Sequence, residues 1–389
     1  MDKNRYLIAA AGAGKTTTIV QDALSKSGGV LLVTFTEANR DEIIKKVIEK
    51  VGHVPRNITI LTWFTFLIQH GVKPYQGSYH ASFQEYQFNG LILCQNGKEG
   101  KRQIQQGTKK VWVYIKSEQE DPIVHYSSKD GRLYSDRLPK LVTRINAKSK
   151  GKLFQRIEKL FPNLYIDEVQ DLSGYDLEIL KLMFASKASI SLVGDPRQYV
   201  FSTHRENKYA AYGNGKIREF IQNECTSLEV ACKIDDVTLN VSHRNSPEIC
   251  YLSSLLYQDQ YPRVTACSCP TCCALRMGGE IKVVTKTEAT HILLSNPSIV
   301  QLIYDKRTVL LSNGHKSLNM GLSKGITFDS VVIYPTKEMN NWLIYHRTIL
   351  KDITKAKFYI AITRARKNVY FVFDDNEMIP QLASLEPYK

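Results

Sequence analysis

The stretch YLIAAAGAGKTTTIVQDALSKSGGVLLVTFT, near the start of the chain, constrains the fold more than any other part of the sequence. A short apolar run, a glycine-broken loop, a helical pattern and a second apolar run follow one another, which reads as strand, loop, helix, strand. Strands joined by helices imply a parallel sheet covered on both faces, so the chain is expected to be α/β. The same grammar returns at NLYIDE and SISLVGD, and past residue 236 at VTLNVSHR, RTVLLS, FDSVVIYP and NVYFVF. Two sheets fit this series better than one, with the break expected near 225–236.

Composition narrows the class. At 389 residues, 43% hydrophobic and 23% charged, the chain has the make-up of a globular protein of two or three domains, and disorder or a fibre is a poor reading. No apolar run approaches the roughly 18 residues that span a bilayer, and the first residues do not read as a secretion signal, so a cytoplasmic protein without membrane contact is expected. Eight cysteines are then expected as reduced thiols.

The formal charge is +14, which makes nucleic acid a plausible partner. Residues 71–160 hold 17 basic and 8 acidic side chains and carry most of the excess. Residues 71–150, rich in Gln, Lys, Tyr and Gly and weak in helical periodicity, read as an insertion. Within it KKVWVYIK reads as a half-buried strand, or as a surface pairing phosphate contacts with base stacking; the plain strand is preferred.

Two motifs carry chemistry. In AAAGAGKTT, Gly12, Ala13 and Gly14 precede Lys15, Thr16 and Thr17 at a strand-to-helix junction. Glycines let backbone N–H groups curl round phosphate oxygens, Lys15 reaches the β and γ phosphates, and the Thr16 hydroxyl ligates Mg²⁺. Ala9 stands where the first glycine of such loops is usual. In YIDEVQDL an apolar strand delivers Asp167 to the metal, and Glu168 is placed to activate water for attack on the γ phosphate. Together they read as a magnesium-dependent ATPase.

The order of further segments resembles that of superfamily 1 helicases of the UvrD/Rep/PcrA type. The resemblance runs through DEVQD, VGDPRQYVF, LNVSHRN, SKGITFDSVV and FYIAITRAR. It implies two RecA-like P-loop domains in tandem: 1–70 with 151–235 as the first, 71–150 as a small basic insertion in it, and 236–389 as the second. About 75 residues separate the fourth and fifth motifs, so no large accessory domain is expected in the second, only a Cys-rich insert at 262–279.

The resemblance also implies roles. Gln198 would sense the γ phosphate, and Arg244 and Arg364 would be the two arginines on the triphosphate. His243, where the motif has a tyrosine, and Gly325 would contact the nucleotide; Thr327 replaces a carboxylate expected to hold the ribose. Gln170 and Asp171 would couple the γ phosphate to the DNA-bearing segments, the alternative being that they cap the following helix. Phe35, Thr36, Thr62, Trp63, Phe64 and Phe201 would touch single-stranded DNA or DNA ends, with core packing as the alternative for each aromatic.

Finer details, among them TFTEANRDEI and GLSKGITFD, resemble the small helicase subunits of Gabija-type anti-phage systems, which implies a nuclease partner of the OLD/Toprim family. The function expected is 3′ to 5′ translocation or unwinding on DNA; the second expectation is a DNA-end sensor that gates a nuclease. CSCPTCC, with Cys267, Cys269, Cys272 and Cys273, is one crowded cluster rather than two spaced Cys-x-x-Cys pairs, and reads as a turn with reduced thiols in preference to a Zn²⁺ site.

Overall fold

The computed structural model describes residues 3–94, 98–200, 208–346 and 348–374. Among them no helix is long and apolar enough to cross a membrane.

The first sheet holds six strands: β1 (Asn4–Ala9), β2 (Val30–Thr34), β3 (Ile58–Thr62), β4 (Asn163–Ile166), β5 (Ser189–Gly194) and β6 (Lys233–Leu239). Their order is β6-β1-β5-β4-β2-β3, and β3, β2, β4 and β5 run parallel to one another. All five residues of VLLVT in β2 are buried, the continuous apolar run that a strand covered on both faces requires. Helix α1 (Lys15–Leu24) follows β1 and turns Ile19, Val20 and Ala23 inward. Helix α2 (Glu37–Val51) starts at Thr36, whose side chain accepts from Asn39 N, and stops at Gly52 in the left-handed conformation.

Strand β6 corrects the expectation that VTLN opens a new sheet: it lies at the edge of the first sheet, beside β1. Leu239 is its one buried side chain. A strand so polar, with Asp235 and Asp236 in it, suits a sheet edge and not a sheet centre.

The second sheet is parallel throughout: β7 (Ile281–Thr285), β8 (Val300–Ile303), β9 (Ser317–Asn319), β10 (Phe328–Tyr334) and β11 (Ala365–Phe373), in the order β7-β11-β10-β8-β9. Leu302, Val331, Ile333, Val369 and Phe371 pack in one core with Trp342, Leu343 and Phe358. The expected strand RTVLLS is a loop, with Val309 84% exposed, and the strand is VQLI a few residues earlier. The loop's polar groups are satisfied by side chains instead of a ladder: Leu311 N donates to Tyr334 Oη at 3.1 Å, and Ser312 O accepts from Gln301 Nε2 at 2.7 Å.

Residues 71–150 are less irregular than expected. Helix α3 (Leu138–Lys148) buries Leu138, Leu141, Val142 and Ile145, the i, i+3, i+4, i+7 face of a helix. KKVWVYIK does form a strand, Lys109–Tyr114, in an antiparallel ribbon with Lys101–Gln106. Val111 and Val113 are half-buried while Trp112 and Tyr114 face outward, with the Lys98 and Lys101 ammonium groups 5.1 and 4.8 Å from the respective ring centres.

The chain divides into two compact units. The first is built on Thr16–Val193; the second takes in Leu7–Lys15, Gly194–Val200 and the chain from Asp235 onward.

Candidate nucleotide site

In the first unit, β4 delivers Asp167. Its backbone N donates to Val33 O at 2.8 Å, which prolongs the hydrogen bonding of β4 with β2 by one residue. The buried Asp167 carboxylate accepts from Thr16 Oγ1 at 3.5 Å through Oδ2 and from Glu168 N at 2.8 Å through Oδ1. Glu168 stands in the left-handed region with φ 56° and ψ 37°. A glutamate held there costs on the order of 1 kcal/mol or more, strain of the kind found at functional sites.

The turn Val169–Asp171 then folds back, so that Gln170 Nε2 donates to Glu168 Oε2 and Asp171 N donates to Glu168 O at 3.0 Å. Gln170 is fully buried. The next helix, α4 (Tyr175–Ala185), has Gly174 as its N-cap. Thr17 is exposed, with its hydroxyl 3.4 Å from Lys46 Nζ.

In the second unit the loop 10–14 is closed by Ala13 N donating to Ala10 O at 3.1 Å, and Gly12 and Gly14 take φ of 76° and 77°. Ser242 Oγ donates to Ala11 O at 2.8 Å and His243 N to Gly12 O at 2.9 Å. Carbonyls repel an anion, and those of Ala10, Ala11 and Gly12 are each engaged by a protein donor. A Cβ on Gly12 would lie 2.5 Å from Arg244 Cβ and 2.8 Å from Ser242 Oγ. Only glycine fits.

Gln198 and Arg364 come together in this unit. Asp195, fully buried after β5, accepts from Arg197 Nε at 2.6 Å, from Gln198 Nε2 at 2.8 Å and from Tyr359 Oη at 3.1 Å. Tyr359 lies on helix α5 (Asp352–Ile362). Burial pushes the Arg197 guanidinium down from its ordinary pKa, and the charge and hydrogen bond of Asp195 together with Tyr359 and Tyr261 more than reverse this. With its amide nitrogen so held, Gln198 presents Oε1 to Arg364 Nη2 at 3.4 Å, and Arg364 is fixed by the carbonyls of Ile360 at 3.1 Å and Ile326 at 3.2 Å. Arg244 Nη1 reaches Thr363 O at 3.5 Å. Asp195, Arg197 and Tyr359 escaped the sequence reading, although an Asp and an Arg two residues apart directly after an apolar strand were a usable signal.

The residues expected to touch DNA divide. Trp63 is fully buried, donates from Nε1 to Asp176 Oδ1 at 2.8 Å and stacks at 6.2 Å on Phe35, so its expected contact with a base gives way to a core role. Thr62 is buried and accepts from Thr65 N at 3.3 Å. Phe35 and Phe64 are half-buried and Thr36 is exposed. Phe201 lies outside the described residues. Gly325 is exposed with φ 84°.

Residues 123–205, which include Asp167–Asp171 and Asp195–Gln198, match the UvrD/REP helicase N-terminal domain. This match supports a superfamily 1 helicase. No curated protein matches the sequence. Among solved structures, the chain is similar to the arterivirus nonstructural protein 10 helicase in complex with DNA, at 16% identity and a TM-score of 0.44 over 98% of this chain and 63% of that one. It is similar in the same degree to that helicase crystallised alone, over 99% of this chain and 62% of that one. The PRRSV helicase follows at 14% identity and a TM-score of 0.40, over 96% of this chain and 53% of that one. The chain thus spans less than two thirds of the proteins it resembles, and likenesses this distant carry no argument about its function.

Proposed function

We propose that the chain is an ATP-driven motor of the superfamily 1 helicase kind that moves 3′ to 5′ on single-stranded DNA. The observation that carries this is the pairing of Thr16 Oγ1 with Asp167 Oδ2 at 3.5 Å, a hydroxyl and a buried carboxylate brought together from two motifs 151 positions apart. A divalent cation fits the residues present, since Thr16 and Asp167 are oxygen donors of the type Mg²⁺ prefers, and the left-handed Gly12 and Gly14, in a loop whose Ala10, Ala11 and Gly12 carbonyls are engaged by protein donors, suit a phosphate. Bound Mg²⁺ would neutralise charge on the phosphate oxygens.

In this reading Gly12, Ala13, Gly14, Lys15 and Thr16 bind phosphate, and Glu168 orients and deprotonates the attacking water. Gln198, Arg244 and Arg364 meet the γ phosphate, Gln170 and Asp171 relay its presence, and Gly325 contacts the nucleotide. Phe35, Thr36 and Phe64 face the DNA strand. The layout is two RecA-like domains, 1–70 with 151–235 and 236–389, with 71–150 inserted in the first. A cytoplasmic anti-phage role beside an OLD/Toprim nuclease rests on the motif resemblance; co-purification of the two proteins tests it, and failure to associate in the presence of DNA and ATP ends it.

The Glu168→Gln variant tests the central reading. ATP turnover is expected to vanish while nucleotide binding persists; undiminished turnover overturns the assignment.

A second reading, a DNA-end sensor that gates a nuclease, is favoured by one observation. Between Asn245 and Ser323 the chain forms three short helices, Pro247–Leu255, Pro270–Arg276 and Lys286–Ser295, together with β7, β8 and β9 of the second sheet, and no separate domain for splitting a duplex. Strand displacement by the isolated chain decides, since robust unwinding without partners contradicts the sensor.

A further inference from the structure

The cysteine cluster and His243 meet in a way that the sequence did not show. Val241 and Ser242 pair in parallel with Thr265 and Ala266, and Cys267 N donates to Ser242 O at 2.8 Å, so the register carries His243 and Cys267 side by side. Helix Pro270–Arg276 then begins with Cys269 as its N-cap, and residues three apart at a helix start share a face, which returns Cys272 to the same place. The His243 ring nitrogen and the Cys267 and Cys272 sulfurs all lie within 4.8 Å of one another. Cys272 Sγ is 3.7 Å from His243 Nδ1; in a zinc tetrahedron with ordinary Zn–S and Zn–N bonds that edge is about 3.5 Å.

Cys269 lies outside that group of three, but it is the cysteine hydrogen-bonded to both of its thiol members. Its sulfur accepts from Cys272 N at 3.5 Å, and its own N–H donates to Cys267 Sγ at 3.5 Å. Cys273, one residue on, points elsewhere: its sulfur is 3.9 Å from Cys267 O and 3.6 Å from Arg276 Nη2. Adjacent Cys272 and Cys273 would strain a single tetrahedron, and that strain does not arise here, because His243 takes the place of Cys273. The buried Arg276, which also donates to the carbonyls of Asn245 and Cys267, supplies a positive charge beside a centre that three thiolates and one divalent ion leave at −1.

We propose that His243 Nδ1 and the sulfurs of Cys267, Cys269 and Cys272 bind one zinc ion, in a structural site that staples the segment carrying Arg244 to residues 265–276. Soft thiolates with one imidazole, all four positions being filled by protein, select zinc and leave no place for a substrate. His243 is thereby assigned to metal and not to a base. The site is independent of the ATPase reading and stands or falls without it.

Metal analysis of the full chain, expressed and purified without chelator and passed through gel filtration, is the test. About one zinc per chain is expected, retained in Cys273→Ser and lost in His243→Ala and Cys272→Ser. Should those variants not fold, the wild type suffices: removing zinc lowers the melting temperature, and refilling with cobalt(II) gives thiolate-to-metal charge-transfer absorption. Wild-type protein free of zinc, holding iron, or closed by a Cys267–Cys272 disulfide overturns the proposal, and loss of zinc in Cys273→Ser overturns the ligand set.

Discussion

Arg364 Nη2 donates to Gln198 Oε1 at 3.4 Å, while the Gln198 amide nitrogen is held 2.8 Å from Asp195 Oδ2. A glutamine fixed at one end and an arginine at the other act as one unit, so their losses should not add. Arg364→Ala is expected to lower the kcat of ATP hydrolysis by about 10³-fold, the scale for an arginine on a transferring phosphoryl group. Gln198→Ala should fall less, and the double variant no lower than Arg364→Ala. Additive losses in log kcat contradict the pairing.

Gly12 tolerates no side chain, for two separate reasons. Its φ is 76°, and a Cβ would come within 2.5 Å of Arg244 Cβ. Gly12→Ala should therefore weaken ATP binding by tenfold or more, about 1.4 kcal/mol or above. Gly14→Ala meets no neighbour within 4 Å and bears only the left-handed strain. Titration of a fluorescent nucleotide checks the order, which fails if Gly14→Ala is the worse variant.

Trp63 supports the fold and not the DNA. Trp63→Phe removes one donor from the buried Asp176 carboxylate while keeping most of the ring volume, and should cost about 1–3 kcal/mol of stability. Affinity of the folded protein for a single-stranded oligonucleotide should be unchanged. A binding defect without a stability defect would return Trp63 to the interface.

Glu118 makes the stability of the inserted segment depend on pH. It sits 2.8 Å from Lys140 Nζ and 3.4 Å from Arg144 Nε, and accepts from Tyr79 Oη at 2.8 Å. Burial pushes its carboxyl up, but the hydrogen bonds from Lys140 and Tyr79 and the Lys140 charge are among the causes that outweigh it and hold the carboxyl down at about 2, below the ordinary 4.5. The folded state thus binds fewer protons than the unfolded one in this window. Its stabilisation is complete above about pH 4.5 and is lost as pH falls toward about 2. Melting temperatures of the wild type should drop across that window faster than those of Glu118→Gln; parallel curves refute the role.

What the sequence made legible followed from where physics leaves a one-dimensional trace. VLLVT and NLYI are apolar because strands in a parallel sheet are covered on both sides, and both were readable. RTVLLS looks the same to that rule, and the bonds from Leu311 N to the Tyr334 hydroxyl and from Gln301 Nε2 to Ser312 O show how its backbone is satisfied as a loop. Helix α3 was missed although Leu138, Leu141, Val142 and Ile145 carry the i, i+3, i+4, i+7 pattern, with Lys140 and Arg144 on the opposite face. Among the candidate site residues, the two motifs that carry chemistry named Thr16 and Asp167, and the resemblance implied Gln198 and Arg364. The sequence was silent on Tyr359, which reaches Asp195 across 164 positions, and it left Trp63 open between core and DNA, since an aromatic looks alike in a core and at a surface.

Strand β6 ends at Leu239, whose carbonyl accepts from Ala10 N at 2.7 Å, and Arg244 follows five residues later. Five residues reach at most about 17 Å when fully drawn out. The tether is shorter still, because His243, one residue before Arg244, donates its N–H to Gly12 O at 2.9 Å. Arg244 is therefore moored to the backbone of loop 10–14 at both ends of the connection, and extra residues inserted between Leu239 and Ser242 would not lengthen its reach while the bond from His243 holds.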